Sequence, residues 1–206
     1  GFLDDYAFVA LGLLDLYEAT FDVEWLRRAE HLTRRAVELF RDEADGGFFM
    51  SRGDDSSILV QGKVDHDGAE PSGNSVMAVL LTRLGAMFHD DDLAEMGTRV
   101  IDLFARRVRE YPMAMPLLVG AGLVATRPPR QVVVAASDNA ADTERLLNEA
   151  RTHYHPGASL LFIPKDGVDP WLAEKMPELE GMGPVDGKAA AYVCENYVCE
   201  RPIFRI

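Results

Sequence analysis

Stretches of helical period alternate along the chain between two kinds of surface, and this limits the fold more than any other feature. From Leu3 to Ala19 apolar residues recur at Leu3, Tyr6/Ala7, Ala10/Leu11, Leu13/Leu14 and Tyr17, with few charges opposite. The next helix, Val23 to Arg41, sets Trp25/Leu26, Ala29, Leu32, Ala36 and Leu39/Phe40 against Arg27, Arg28, Glu30, Arg34, Arg35 and Glu38, so one face meets water. Asn74 to Phe88 is apolar nearly all round. Leu93 to Glu110 is amphipathic again, and Ala114 to Ala125 ("AMPLLVGAGLVA") returns to apolar. The order is buried, exposed, buried, exposed, buried.

Pairs of inner and outer helices are the unit of an α/α toroid, and also of an α-solenoid. Leu13, Leu14 and Leu26 map onto Leu80, Leu81 and Leu93 at an offset of 67 residues, a faint repeat of one hairpin. The expected class is mainly α, a partial α/α toroid over 1–126. Inner-to-outer turns are short, whereas Asp42 to Gly73 is long and carries "GGFFMS" and "SILVQGKV", which predict a β-hairpin insertion near 45–63. The inner helices then all start at the end where that connection lies. Asp4-Asp5-Tyr6, "DHDGAEPSGNS" (65–75) and Tyr111–Met115 should share one rim.

After "TRPPRQ" the period changes. "VVVAA", "ASLLFI" and "AAAYVC" read as strands, with helices over Asp142–Arg151 and in "DPWLAEKM", which predicts a small parallel α/β subdomain over 127–206. No G-x-G-x-x-G or P-loop follows the first strand, so nucleotide binding has no support. A net charge of -13 argues against nucleic acid or anionic membrane as a partner. No apolar run is long enough to span a bilayer, and the opening "GFLDDYAF" lacks the basic start of a secretory signal, so a cytoplasmic protein is expected.

"LDDYAF" at the start, "DGAEPSGNS" before an apolar helix and "PVDGKAAAYVCENYVCERPI" at the end resemble one group of proteins. These are the thioredoxin-domain-containing proteins of the spermatogenesis-associated protein 20-like family, whose helical part is similar to a six-hairpin glycosidase toroid. The resemblance implies a longer chain with a thioredoxin-like domain, of which this sequence looks like a C-terminal piece. It also implies kinship of fold with sugar epimerases and glycoside hydrolases, which is an analogy and not a mechanism.

Asp4 and Asp5 can favour the start of the first helix through its dipole, or face the funnel of a toroid and act on sugar hydroxyls. Ser72 after Pro71 is a helix-cap residue. Capping does not account for His66, Asp67 and Glu70 in the same turn, and a helix N-terminus offers N–H groups to a polar ligand. Of the five histidines only His66 falls at the rim, so a pair of carboxylates is better supplied than a histidine acid–base pair. The leading acid–base candidates are Asp5 and Asp67, with Asp4, Tyr6, His66, Glu70, Ser72 and Asn74 as substrate-binding residues and a sugar or glycan as ligand. Asp5, Asp67 and Asn74 should then cluster at one end of the helices. The alternative is a helical scaffold or pseudo-enzyme that binds a protein partner.

No cofactor or metal is expected. Cys194 and Cys199 read as two reduced thiols, with a disulfide, or a metal site shared with His153 and His155, as alternatives. A few hairpins cannot close a ring. Helices 3–19 and 114–125 should therefore keep an unpaired apolar flank, contributed by Leu11, Leu14, Leu118 and Leu123, covered by the missing N-terminal part or by self-association.

Overall fold

A computed structural model describes residues 1–54, 58–152 and 157–205. It divides into two compact units, one of Gly1–Gly85 with Asp90–Arg127 and one of Ala86–His89 with Pro128–Ile206. Among the described residues the chain is mainly helical, with one small four-stranded sheet.

In the first unit α1 (Leu3–Thr20) and α2 (Val23–Phe40) form a hairpin. Phe21 closes α1 in the left-handed region (φ 59°), and the Asp22 carboxylate accepts from the Glu24 N–H (3.0 Å) to start α2. α3 (Gly73–Phe88) leads into α4 (Asp91–Leu103) by the same device. His89 is left-handed (φ 53°), and Asp90 accepts from the Leu93 N–H (3.0 Å). An aspartate after a left-handed residue caps each second helix, satisfying one of the orphan donors at its start.

α1 buries one stripe, Leu3, Ala7, Ala10, Leu14 and Tyr17. α3 is buried around most of its circumference, as its apolar composition requires. At Gly85 an added Cβ would lie 2.8 Å from the Ala94 backbone nitrogen, so the α3–α4 crossing depends on the missing side chain. The Arg34 guanidinium on α2 bonds both Glu30 (2.8 Å) and Asp90 (2.7 Å), which pairs the buried Glu30 and ties α2 to the start of α4.

The helix predicted from Leu93 to Glu110 is interrupted at Phe104, beyond which α5 (Ala105–Glu110) continues. The last helix of the unit is α6 (Pro116–Ala125), preceded by a single 3-10 turn at Pro112–Ala114. Pro116 sets its start, since proline fits the first helical position.

The β-hairpin expected near 45–63 does not form among the described residues. Phe48 makes only an isolated bridge with Arg41, and Met50 N–H donates to Gly62 O (2.9 Å). Phe49 N–H donates to Phe40 O (2.8 Å) and Leu3 N–H donates to Met50 O (3.0 Å). Apart from the Met50–Gly62 bond, the backbone groups at Phe48, Phe49 and Met50 O that a hairpin would pair are taken by Asn74, α2 and α1.

In the second unit β1 (Arg130–Ala135) runs parallel to β2 (Ser159–Ile163) through the crossover α7 (Ala140–Thr152). β3 (Ala190–Glu195) lies antiparallel on the other side of β1, with the short β4 (Val198–Cys199) beyond it. The sheet is therefore mixed, not the parallel layer expected, because the apolar content of a strand does not encode its direction. Val132, Val134, Ala191 and Leu146 of α7 form its core on one face.

Cys194 and Cys199 are joined as a disulfide across the β3–β4 hairpin, which corrects the expectation of two reduced thiols. His153 and His155, considered with them as metal ligands, lie outside the described residues.

Candidate functional site

The candidate rim belongs to the first unit. Its centre is the start of α3, where three backbone N–H groups meet side-chain oxygens. Asp67 Oδ1 accepts from Ser72 N–H (2.9 Å), Asp4 accepts from Gly73 N–H, and Ser72 Oγ accepts from Ser75 N–H (3.2 Å). Carboxylates from two separate segments thus engage successive N–H groups of one helix end. A helix N-terminus attracts anions, and the molecule supplies its own.

Asp67 reaches further. Its Oδ2 accepts from Leu117 N–H (3.0 Å), and its own N–H donates to Ala114 O (2.6 Å). One carboxylate therefore holds the starts of both α3 and α6. Asn74, buried at 1% exposure, accepts from Phe48 N–H (2.8 Å) and donates to Phe48 O (2.9 Å), the bonds a neighbouring strand would make. Ser72 is also buried, and its Oγ donates to Ser75 Oγ (3.0 Å).

The start of α1 is arranged differently. Asp5 is exposed, and its Oδ2 accepts from Phe2 N–H (2.8 Å), half of a capping box. Asp4 is partly buried. That burial, with repulsion from the Glu70 and Asp5 carboxylates, raises its pKa above the usual 3.8 against the Gly73 N–H, which favours the ionised form. Gly73 must lack a side chain here, since a Cβ would run into Asp4 Oδ1 and come within 2.8 Å of Leu3. Tyr6 packs edge-on to Phe40, ring centroids 5.5 Å apart. His66 is exposed, 3.4 Å from the Asp65 carboxylate, and Glu70 is exposed.

Asp5 and Glu70 thus lie near enough to Asp4 to repel its charge, and Asp4, Asp67 and Ser72 meet at the N–H groups of one helix start. Asn74 is turned to Phe48. Among the described residues no group of three or more His, Cys, Asp or Glu could hold a metal ion.

Sequence reasoning missed Lys63. Its Nζ donates to Asp42 Oδ2 (2.8 Å) and Gly46 O (2.6 Å) and lies 5.0 Å from the Phe49 ring centroid, so it fastens the long connection below the rim. It stood inside a segment with strand-like content, and no local pattern marks such a tether.

This sequence, together with the clustering of "LDDY" and "DGAEPSGNS" at one helix end, has clear relatives. The chain is similar to spermatogenesis-associated protein 20. It is 36% identical to the Homo sapiens protein and 35% to that of Mus musculus, each over 204 residues and 98% of the chain. It is also 28% identical over 208 residues to an uncharacterized protein of Caenorhabditis elegans. The chain spans about a quarter (26%) of the length of spermatogenesis-associated protein 20. No family model matches it. Among the described residues no helix is long and apolar enough to cross a membrane.

Proposed function

We propose that the first unit is a section of a longer array of helical hairpins, as in an α/α toroid, and that its role is to pack with neighbouring hairpins and not to catalyse alone. The observation that carries this is a second apolar stripe on α1. Val9 is 54% exposed and Leu16 45%, seven residues apart on one face, and Phe2 (54%) lies just before the helix. That face is about a third of a turn from the buried stripe. Helices bury such faces against other helices.

The occupant we assign is a helix of the longer chain, since the relatives are about four times the length of this sequence. Leu123 on α6 (61% exposed) adds to the uncovered apolar surface, whereas Leu14 and Leu118, expected there, are buried. Alone, the chain should self-associate through this face. Sedimentation would show a species heavier than 22.8 kDa that returns to monomer in Val9→Glu/Leu16→Glu. A monomer at high concentration without the substitutions ends the proposal.

A carbohydrate-active reading keeps support from one feature: Asp4 lies partly buried beside Glu70 and Asp5, and burial, then the like charges, raise its pKa, the direction a general acid needs. In it Asp4 and Glu70 contact a sugar, and Asp5 and Asp67 hold the rim. Glycan-array binding by the full-length relative, lost in Asp4→Asn and kept in Asp5→Asn, is the expected result. Absence of binding by the unsubstituted protein removes the reading.

A further inference from the structure

The β3–β4 hairpin carries features that neither packing nor the proposed array requires. Its two-residue tip, Asn196–Tyr197, has both residues in the left-handed region (φ 50° and 62°). That is the geometry of a tight hairpin turn, one that an aromatic residue adopts only when held. The Tyr197 ring is stacked on the His89 imidazole, centroids 3.7 Å apart and planes 16° from parallel. The disulfide Cys194–Cys199 closes the hairpin directly behind this tip.

The two half-cystines differ in exposure. Cys194 is buried at 1% exposure on β3, whereas Cys199 lies on the exposed edge strand β4. The bond closes a loop of only a few residues, so it constrains the unfolded chain less than a long-range bridge would. β3 is in addition paired to β1 along its whole length, from Arg130↔Glu195 to Ala135↔Ala190. The sheet does not need this bond to form; at the tip the bond acts beside the Glu195↔Val198 pair and the Asn196 N–H bond to Pro129 O (2.8 Å).

We propose that Cys194–Cys199 is a thiol–disulfide exchange site, opened by an external dithiol at the exposed Cys199 sulfur, and that the bond holds Tyr197 on His89. An incoming thiolate attacks Cys199 Sγ, the Sγ–Sγ bond breaks, and Cys194 leaves as a thiolate that takes a proton. The second thiol of the reductant then attacks its own sulfur in the mixed disulfide and releases Cys199. Two electrons pass to the protein, and the dithiol is oxidised to a disulfide. Burial of Cys194 keeps the released sulfur as a neutral thiol, so exposure and not leaving-group ability selects Cys199 as the point of attack. With the bond open, the hairpin tip loses one of its constraints, and the stack of Tyr197 on His89 loosens.

The test is reduction of the folded chain with dithiothreitol, followed by thiol titration, far-UV circular dichroism and the His89 imidazole proton resonance. The expected result is two thiols released with the dichroism unchanged and the His89 signal losing its ring-current shift, as it also should in oxidised Tyr197→Ala. Thiols that appear only on unfolding, or a His89 signal indifferent to reduction, would overturn the proposal, as would two free thiols before any reductant is added. Oxidised glutathione should modify Cys199 in Cys194→Ser faster than Cys194 in Cys199→Ser, by on the order of tenfold. Equal rates would also sink it. If either variant fails to fold, reduction of the unsubstituted chain still decides.

Discussion

At the start of α1, Asp4 lies partly buried beside two other carboxylates, whereas at the start of α3 Asp67, Ser72 and Asn74 are each engaged by backbone groups. Both places present short polar side chains at a helix end, and in sequence both read as a site. The difference lies in what surrounds the backbone. α3 is buried, so every N–H near its start needs an acceptor from the protein, and the loops that meet it need one as well. α1 begins nearer the surface, where water can serve. Polar residues at a buried helix start are therefore more readily read as scaffold; those at the start of α1 also bond backbone N–H groups, Asp5 that of Phe2 and Asp4 that of Gly73, but within reach of water.

Substitutions can break that comparison. Asn74→Ala should have the largest effect, since it strands both the N–H and the C=O of buried Phe48. Each stranded group costs about 1–3 kcal/mol, so a loss of roughly 2–6 kcal/mol by urea denaturation is expected. A loss below about 1 kcal/mol would mean that water replaces the amide and that Asn74 is available to a ligand.

Asp67→Ala comes next. It removes the acceptor for Ser72 and Leu117 N–H, in a half-exposed setting, and should cost about 1–3 kcal/mol. Asp67→Asn keeps one acceptor oxygen and should fall between the two. If Asp67→Asn matches the unsubstituted chain in stability, the carboxylate is not the tether described. Asp5→Ala should cost less, about 0.5–1 kcal/mol, because its bond to Phe2 N–H is exposed to water.

Helix positions were legible in the sequence because the apolar period is a direct consequence of burial. Leu3, Ala7, Ala10, Leu14 and Tyr17 are the observed stripe of α1, and the aspartates at 22 and 90 mark the turns. The expected cluster was Asp5, Asp67 and Asn74; the pair that bonds adjacent N–H groups at the start of α3 is Asp4 and Asp67. Their roles were not legible. Asp67 bonds Leu117 fifty residues away, and no local pattern shows that α6 lacks an acceptor there. The hairpin near 45–63 failed for the same reason, since Asn74 and Phe40 satisfy Phe48 and Phe49, and only Met50 with Gly62 bonds across the expected strands. The disulfide was obscured because a C-x4-C spacing fits a two-residue hairpin turn, and the turn carries no glycine to announce it.

The smallest expected effect separates the two helix starts most cleanly, because its sign should be opposite. Asp4 has its pKa raised, chiefly by burial, then by Glu70 and Asp5. A carboxyl of this kind supports the fold fully below the unfolded pKa and loses that support as pH rises through the folded pKa, since ionisation is then harder in the folded state. The first-turn position of Asp4 on α1 and the Gly73 N–H act the other way and favour the charge. Asp4→Asn keeps an oxygen for Gly73 and deletes the charge. At pH 7 it should therefore change stability by no more than about 0.5 kcal/mol, in the stabilising direction. The advantage should vanish as pH falls below 3.8, where the native carboxyl is itself neutral. Urea midpoints for both proteins from pH 3 to 7 would measure this. A variant that is weaker at pH 7 and recovers on acidification would show that the helix start outweighs burial, and that Asp4 is engaged by the scaffold in the same way as Asp67.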